Sequence, residues 1–187
     1  GRSAERVAAV GASQVYQQHL LRIIEPLIAD GLEVQFWGDQ LMKSPDGAAW
    51  IPGGASAVVW HYDPPSAEHL GFRAAAEPLI EASKRFWVAA GTSSWNSLIG
   101  RNSSATANIA DAITVGSEYG ARGFMLADWG DNGHLQPLAV SLPSIVRAGV
   151  GAWHGVCGNV EVGPIIDSLL GAESGTGQII DGLGSLA

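Results

Sequence analysis

Cysteine occurs once, at Cys157, which excludes an internal disulfide framework and leaves the fold to be held by burial alone. Charge is scarce: Asp, Glu, Lys and Arg make up 15% of the 187 residues, and acids outnumber bases by 18 to 10. The resulting net charge of −8 makes nucleic acid and anionic membrane surfaces poor partners. No apolar run approaches the roughly 20 residues of a membrane span, and no secretory leader is visible. No G-x-G-x-x-G or phosphate-loop pattern follows a strand-like run, and no cofactor is expected. Thr92-Ser93-Ser94-Trp95-Asn96 lacks the G-x-S-x-G elbow of a serine hydrolase. These absences lead to the expectation of a soluble chain, cytoplasmic if it is complete. The start at Gly1 rather than Met reads instead as a cut or a gene-fragment boundary.

What is present is apolar bulk and tryptophan. The chain is 47% apolar, and at its length a domain buries roughly 70% of its unfolded surface, so a single α/β domain over residues 1–187 is expected. The chain is organised around residues 123–134, GFMLADWGDNGH. Five residues of buried-strand character stop abruptly at acids, an indole, glycines and an imidazole, as a parallel strand does where it reaches its C-terminal edge. Val34-Gln35-Phe36-Trp37-Gly38-Asp39 repeats the pattern, so two strand-like runs end in Trp-Gly-Asp.

Taken in order, residues 4–29 show a 3.6-residue apolar period and read as one amphipathic helix, with Ser3 as N-cap, Pro26 as a kink or a restart in the last turn, and Asp30-Gly31 as its end. Strands are expected at 32–37, 57–60, 86–90 and 123–127. Helices are expected from a Ser66 cap to about 83 with Leu70 inward, from Ser103 or Ser104 to 119, and from Pro143 onward with Ile145, Val146, Gly149, Val150 and Trp153 inward. Residues 161–187 read as a tail of one or two short helices. Alternating strands and helices predict a parallel sheet with right-handed crossovers, a (β/α)4 unit over residues 1–160.

Seven tryptophans stand in the chain. Trp87 and Trp153 read as core filling. Trp37, Trp60, Trp95 and Trp129 each fall at or just past a strand end. Indole faces stack on the C–H faces of sugar rings while neighbouring Asp and Asn bond hydroxyls, so the pattern fits a polyhydroxylated ligand; it fits equally a ring of aromatics closing the top of a core. The strand-end acids Asp39, Asp63, Asp128 and Asp131 offer carboxylates of the kind glycosidases use in pairs. Asp131 reads better as a hydroxyl ligand than as a proton donor, and Asp128 reads also as a structural acceptor for backbone amides. Asp128, Asp131, His134 and His61 form a set that could be drawn as a metal site, but a loop rich in Asp, Asn and Gly is more often a hydrogen-bonded turn, and no metal is expected.

At these strand ends the chain resembles glycoside hydrolase family 20, the exo-β-N-acetylhexosaminidases, and within it a bacterial subgroup with strands close to P-G-T-S-S-W-N and T-D-W-G-D-N-G-H-W-Q. The matching stretches are residues 90–96 and 127–136, with Leu135 in place of the second Trp, and Gly100-Arg101 also fits. The resemblance implies the C-terminal half of a TIM-type (β/α)8 barrel that releases terminal N-acetylhexosamine. It implies that Trp129 lines the sugar pocket, Asp131 holds hydroxyls, Trp37 and Asp39 form a similar pair, Trp60 is another wall and Trp95 lies near the acetamide. Asn96 and His134 complete the substrate-binding set. The family's Asp-Glu catalytic pair, in a G-G-D-E-like motif, is absent from this sequence, so any acid chemistry would fall to Asp39, Asp128 or Asp131. An open half-barrel exposes two strand edges and is expected to pair with a second copy as a homodimer. The alternative is a non-catalytic, sugar-binding or self-assembling half-barrel.

Overall fold

The computed structural model describes residues 3–40, 46–68, 70–133, 135–155, 157 and 159–186. Four strands, β1 (Val34–Trp37), β2 (Ala55–Trp60), β3 (Phe86–Gly91) and β4 (Phe124–Ala127), form one sheet in the order β1-β2-β3-β4. β1 pairs with β2 and β3 with β4 in parallel: Val34 to Trp37 align with Ala55 to Val58, and Val88 to Gly91 with Phe124 to Ala127. One helix lies between β2 and β3 and another between β3 and β4, with none described between β1 and β2; with helices before β1 and after β4, the topology is the (β/α)4 half-barrel with C-terminal helices that the alternation predicts. β2 and β3 are buried almost throughout, whereas β1 alternates half-buried with exposed and β4 is half-buried at every position. The difference follows from position, because central strands are covered on both sides and the outer two are not. No helix among the described residues is long and apolar enough to cross a membrane.

The chain divides into two compact units. The first comprises Gly1–Val59 and Ala76–Phe86. Its expected single N-terminal helix is two helices, α1 (Ala4–Val10) and α2 (Ala12–Ala29). Gly11 separates them at φ 84° and ψ 155°, a conformation that a residue with a Cβ rarely adopts and that no helix can include. Ser3 stands at the N-cap as expected, its carbonyl accepting the Val7 amide at 2.8 Å, but its side chain makes no capping hydrogen bond. Pro26 lies inside α2 without ending it, and the helix stops before Gly31 at φ 83°. Ile24, Ile51, Val58, Val59, Leu79 and Phe86 are buried in this unit. The Lys84 ammonium donates to the Ile51 carbonyl at 2.8 Å, and the Ala57 amide to the Arg85 carbonyl at 3.2 Å.

The second unit comprises Trp60–Ala75 and Trp87–Ala187. Helix α3 (Gly71–Glu81) straddles the two units and starts five residues later than expected. Gly71 at φ 72° interrupts any helix from Ser66, whose hydroxyl instead accepts the Glu68 amide in a local turn, and Leu70 is exposed rather than inward. Helix α4 (Asn102–Glu118) buries Ala105, Asn108, Ile109, Ala112 and Ile113 along one face; Ser103 and Ser104 fall inside its first turn and do not cap it. Helix α5 (Leu142–His154) turns Val146, Ala148 and Gly151 inward, and Val146 meets Val162 and Ile166 of α6 (Val162–Leu170). The expected inner stripe is therefore partly reversed: Ile145 is exposed and Trp153 is 88% exposed, the opposite of core filling. α6 and α7 (Thr176–Gly184) cross where Gly163 and Gly177 meet, so closely that a Cβ on Gly177 would strike the Gly163 carbonyl. Arg147 pairs with Asp181 at 2.8 Å, and the Asn102 amide donates to the Asp181 carbonyl and carboxylate at 3.0 Å. The described tail, residues 161–186, is thus packed into the second unit.

Candidate functional site

The strands run parallel, so β2, β3 and β4 present their C-terminal ends on the same sheet edge, and three loops leave from it. One buried side chain ties two of these ends together. Asn108 on α4 is fully buried; its amide nitrogen donates to the carbonyls of His61 (2.9 Å) and Asp63 (3.1 Å), and its carbonyl oxygen accepts the Gly91 amide (3.1 Å). An unpaired amide there would cost about 1–3 kcal/mol, so the three bonds fix the loop after β2 against the end of β3.

Four aromatic side chains gather above this staple. Trp60 stacks on Tyr62 at 5.2 Å with 29° between the planes, and Trp95 meets Tyr62 edge-on at 5.1 Å and 67°. Trp129 completes the set through a side-chain hydrogen bond to Tyr62, the indole N–H donating to the hydroxyl. Gly91 makes the packing possible, since a Cβ at this position would overlap both the Trp95 and the Tyr62 rings. Trp60 and Trp129 remain 39% and 44% exposed, so the cluster opens to solvent instead of closing a core. Burial pushes the Tyr62 phenol above its ordinary range and the Asp131 charge adds to that, while the Trp129 bond opposes it. Tyr62 is therefore a neutral hydroxyl at physiological pH.

A polar layer lies beside the aromatic one. One Asp128 oxygen accepts the hydroxyls of both Thr92 and Ser94 at 2.6 Å. The Ser144 hydroxyl donates to the Thr92 carbonyl at 3.1 Å, and Arg101 donates to the carbonyls of Ser93 (3.2 Å) and Trp95 (2.9 Å). The 92–96 loop is thereby held through its backbone, with Ser93 and Asn96 at φ 54° and 55°. Asn132, also left-handed at φ 53°, donates its side-chain amide to the Asn96 carbonyl oxygen at 2.7 Å. Asp131 and Asn96 are both exposed.

The second unit thus brings together Trp60, Trp95, Asn96, Trp129 and Asp131 of the expected binding residues, with Asp128 in the layer beneath. Trp37 and Asp39 belong to the first unit, at the end of β1. Trp37 is 43% exposed there, and half-buried Asp39 accepts the Gln40 amide at 2.7 Å and adds its charge to the burial that raises the Tyr16 phenol. His134 lies outside the described residues. His61 packs its ring edge-on against Phe72 at 6.0 Å. Among the described residues no group of three or more His, Cys, Asp or Glu could hold a metal ion.

Two residues of this site escaped the sequence reading. Tyr62 stands two positions after Trp60, the spacing that puts neighbours on one side of an extended chain, and that spacing was the available signal. Asn108 carries an amide at a position where the period of α4 calls for an apolar residue, which marks a buried polar group with fixed partners. Exposed indoles beside a neutral hydroxyl, a carboxylate and two amides can bind an uncharged ring with an apolar face and polar edges. No protein-family model matches the chain, and no curated protein matches it.

Proposed function

We propose that the chain carries the sugar-binding part of a β-N-acetylhexosaminidase-like glycoside hydrolase, with terminal N-acetylhexosamine as its ligand. One observation carries the reading: three strand-end tryptophans converge on Tyr62 while two of them stay exposed, with Asp131 close enough to act on the same phenol. Indole faces take the C–H face of a pyranose, and the carboxylate and amide groups at the rim take its hydroxyls and acetamide. Trp60, Trp95 and Trp129 are the walls, Asp131 and Asn96 the polar ligands, and the resemblance adds His134.

The assignment of an acid is a separate matter. Glycoside hydrolysis commonly needs two carboxyl groups in fixed relation, or an acetamide oriented by an Asp beside a Glu acid, and the Asp-Glu motif is absent from this sequence. Asp128 spends one oxygen on two hydroxyls, an arrangement that holds the loop. That favours the second reading, in which this chain binds sugar without cleaving it. In either reading β1 and β4 pair on one side only among the described residues, and a second copy of the chain is the simplest partner for both edges.

The test is a calorimetric titration of the purified chain with N-acetylglucosamine, alongside turnover of an aryl β-N-acetylglucosaminide. Binding that Asp131→Asn abolishes is expected. Heat-silent mixing at millimolar sugar sinks the binding reading, and turnover that survives Asp39→Asn, Asp128→Asn and Asp131→Asn together removes all three as acids. Sedimentation as a monomer counts against the paired form.

A further inference from the structure

Trp95 and Asn96 stand on a loop whose backbone is strained. Ser93 and Asn96 hold left-handed angles, φ 54° and 55°, which a residue with a Cβ adopts only at a cost. Groups outside these two residues have to hold the angles, and one guanidinium reaches both places. Arg101, half-buried at the residue before α4, donates from Nε to the Ser93 carbonyl at 3.2 Å and from Nη2 to the Trp95 carbonyl at 2.9 Å. The Ser93 carbonyl fixes the ψ angle of Ser93, and the Trp95 carbonyl lies in the peptide plane that leads into Asn96. The two bonds therefore grip the peptide after one left-handed residue and the peptide before the other. Both have an ionised donor, which makes them stronger than bonds between neutral groups, and the planar fork fixes their spacing.

The clamp has a fixed base. Asn102, next in the chain, is buried and donates to the carbonyl and the carboxylate of Asp181 on α7 at 3.0 Å. Gly184 of α7 lies so near that a Cβ there would strike the Asn102 side chain. On the other side of Arg101, the Ser97 hydroxyl accepts the Gly100 amide at 3.0 Å and donates to the Gly100 carbonyl at 3.1 Å, which closes the turn from which Arg101 emerges. We infer that Arg101 is a positioning residue of the site: it acts through the loop, and its grip on two carbonyls sets how Trp95 and Asn96 are presented to a ligand. The inference rests on the sugar-binding reading above.

Two variants test this. Arg101→Met keeps an apolar stem and removes both donors; Arg101→Lys keeps the charge but offers one compact ammonium where a fork is needed. Calorimetry with N-acetylglucosamine should show binding about tenfold weaker for Arg101→Met and about threefold weaker for Arg101→Lys. A ligand-free readout accompanies it. With fluorotryptophan in the chain, the fluorine resonance of Trp95 should shift in both variants, and that of exposed Trp153 should stay in place. A residue that only supports the fold would lower the urea midpoint and leave the affinity of the folded chain unchanged. Wild-type affinity in the folded variants, or lost affinity with the Trp95 resonance unmoved, therefore overturns the inference and leaves the aromatic cluster standing. If Arg101→Met does not fold, Arg101→Lys is judged by the same two results. A wild-type chain that binds no N-acetylglucosamine overturns the sugar-binding reading and the inference with it.

Discussion

Gly91→Ala is the sharpest test of the aromatic cluster, because it adds one methyl group where the rings meet. The backbone of Gly91 lies outside the left-handed region, so alanine fits there without strain and any cost is steric. A Cβ at this point overlaps the Trp95 ring and lies within 2.8 Å of Tyr62 Cδ1. Overpacking of this kind costs about 1–3 kcal/mol. Loss of chain entropy in the unfolded state works the other way and stabilises alanine by about 0.4–1 kcal/mol. The Gly91 amide also donates to buried Asn108 at 3.1 Å, so a backbone shift that relieves the overlap stretches that bond. The expected net loss is about 1–2 kcal/mol, which for a chain of this length lowers Tm by about 2–8 °C. Urea unfolding measures the loss, and near-ultraviolet circular dichroism reads the coupled rings directly. Gly149→Ala is the control: nothing lies within 4 Å of its added Cβ on the solvent side of α5, so the swap should stabilise by up to about 1 kcal/mol. A Gly91→Ala chain as stable as wild type, with an unaltered aromatic spectrum, would refute the packing.

Four further outcomes are expected. Asp128→Asn weakens two short bonds to hydroxyls and should destabilise by about 1–2 kcal/mol in urea unfolding, whereas exposed Asp131→Asn should change stability by less than about 0.5 kcal/mol. The Tyr62 phenol is raised in the fold above its ordinary value of 10.0, so its contribution to stability is full below pH 10 and declines as pH rises toward the folded value; Tyr62→Phe should flatten that alkaline decline. Trp153→Ser should leave stability within about 0.5 kcal/mol and remove the most acrylamide-accessible part of the tryptophan emission. Burial raises the Cys157 thiol, with Arg147 pulling it back in part, so alkylation near pH 8 should be slower than for a free thiol and should quicken on urea addition.

The sheet was readable from the sequence because its signals are local. Val-Val-Trp at 58–60 and Phe-Trp-Val-Ala-Ala at 86–90 are apolar on both faces, and only a strand covered on both sides tolerates that. Helix limits were less readable where one glycine decides them. Gly11 and Gly71 take left-handed angles that split or delay a helix whose apolar period runs on through them. Periodicity also failed on α5. Residues 145, 149 and 153 form an apolar stripe as regular as the one that Val146 and Val150 belong to, and nothing in the helix itself ranks them. The choice is made by Val162 and Ile166 on α6, which cover the Val146 side and leave Trp153 in water.

The site divides along the same line. Trp60, Trp95, Trp129 and Asp131 were visible as strand-end residues, since a strand's last apolar position fixes where the next side chains emerge. Their meeting on Tyr62 was not visible, because it depends on what is missing at position 91 and on a helix side chain 17 residues further on. Asn108 gives the order of causes: its three bonds set the loop after β2 against the end of β3, Gly91 leaves the space, and Tyr62 fills it between Trp60 and Trp95. Asn108→Ala should therefore disturb the aromatic cluster from the far side. It removes three buried hydrogen bonds and should cost about 2–4 kcal/mol. Asn108→Asp keeps an acceptor for the Gly91 amide but turns a second carboxylate oxygen toward the carbonyls of His61 and Asp63, so it should rescue little at neutral pH. Equal stability of Asn108→Ala and wild type in urea, with the near-ultraviolet signal of the rings intact, would show that the cluster is set by the aromatic residues alone.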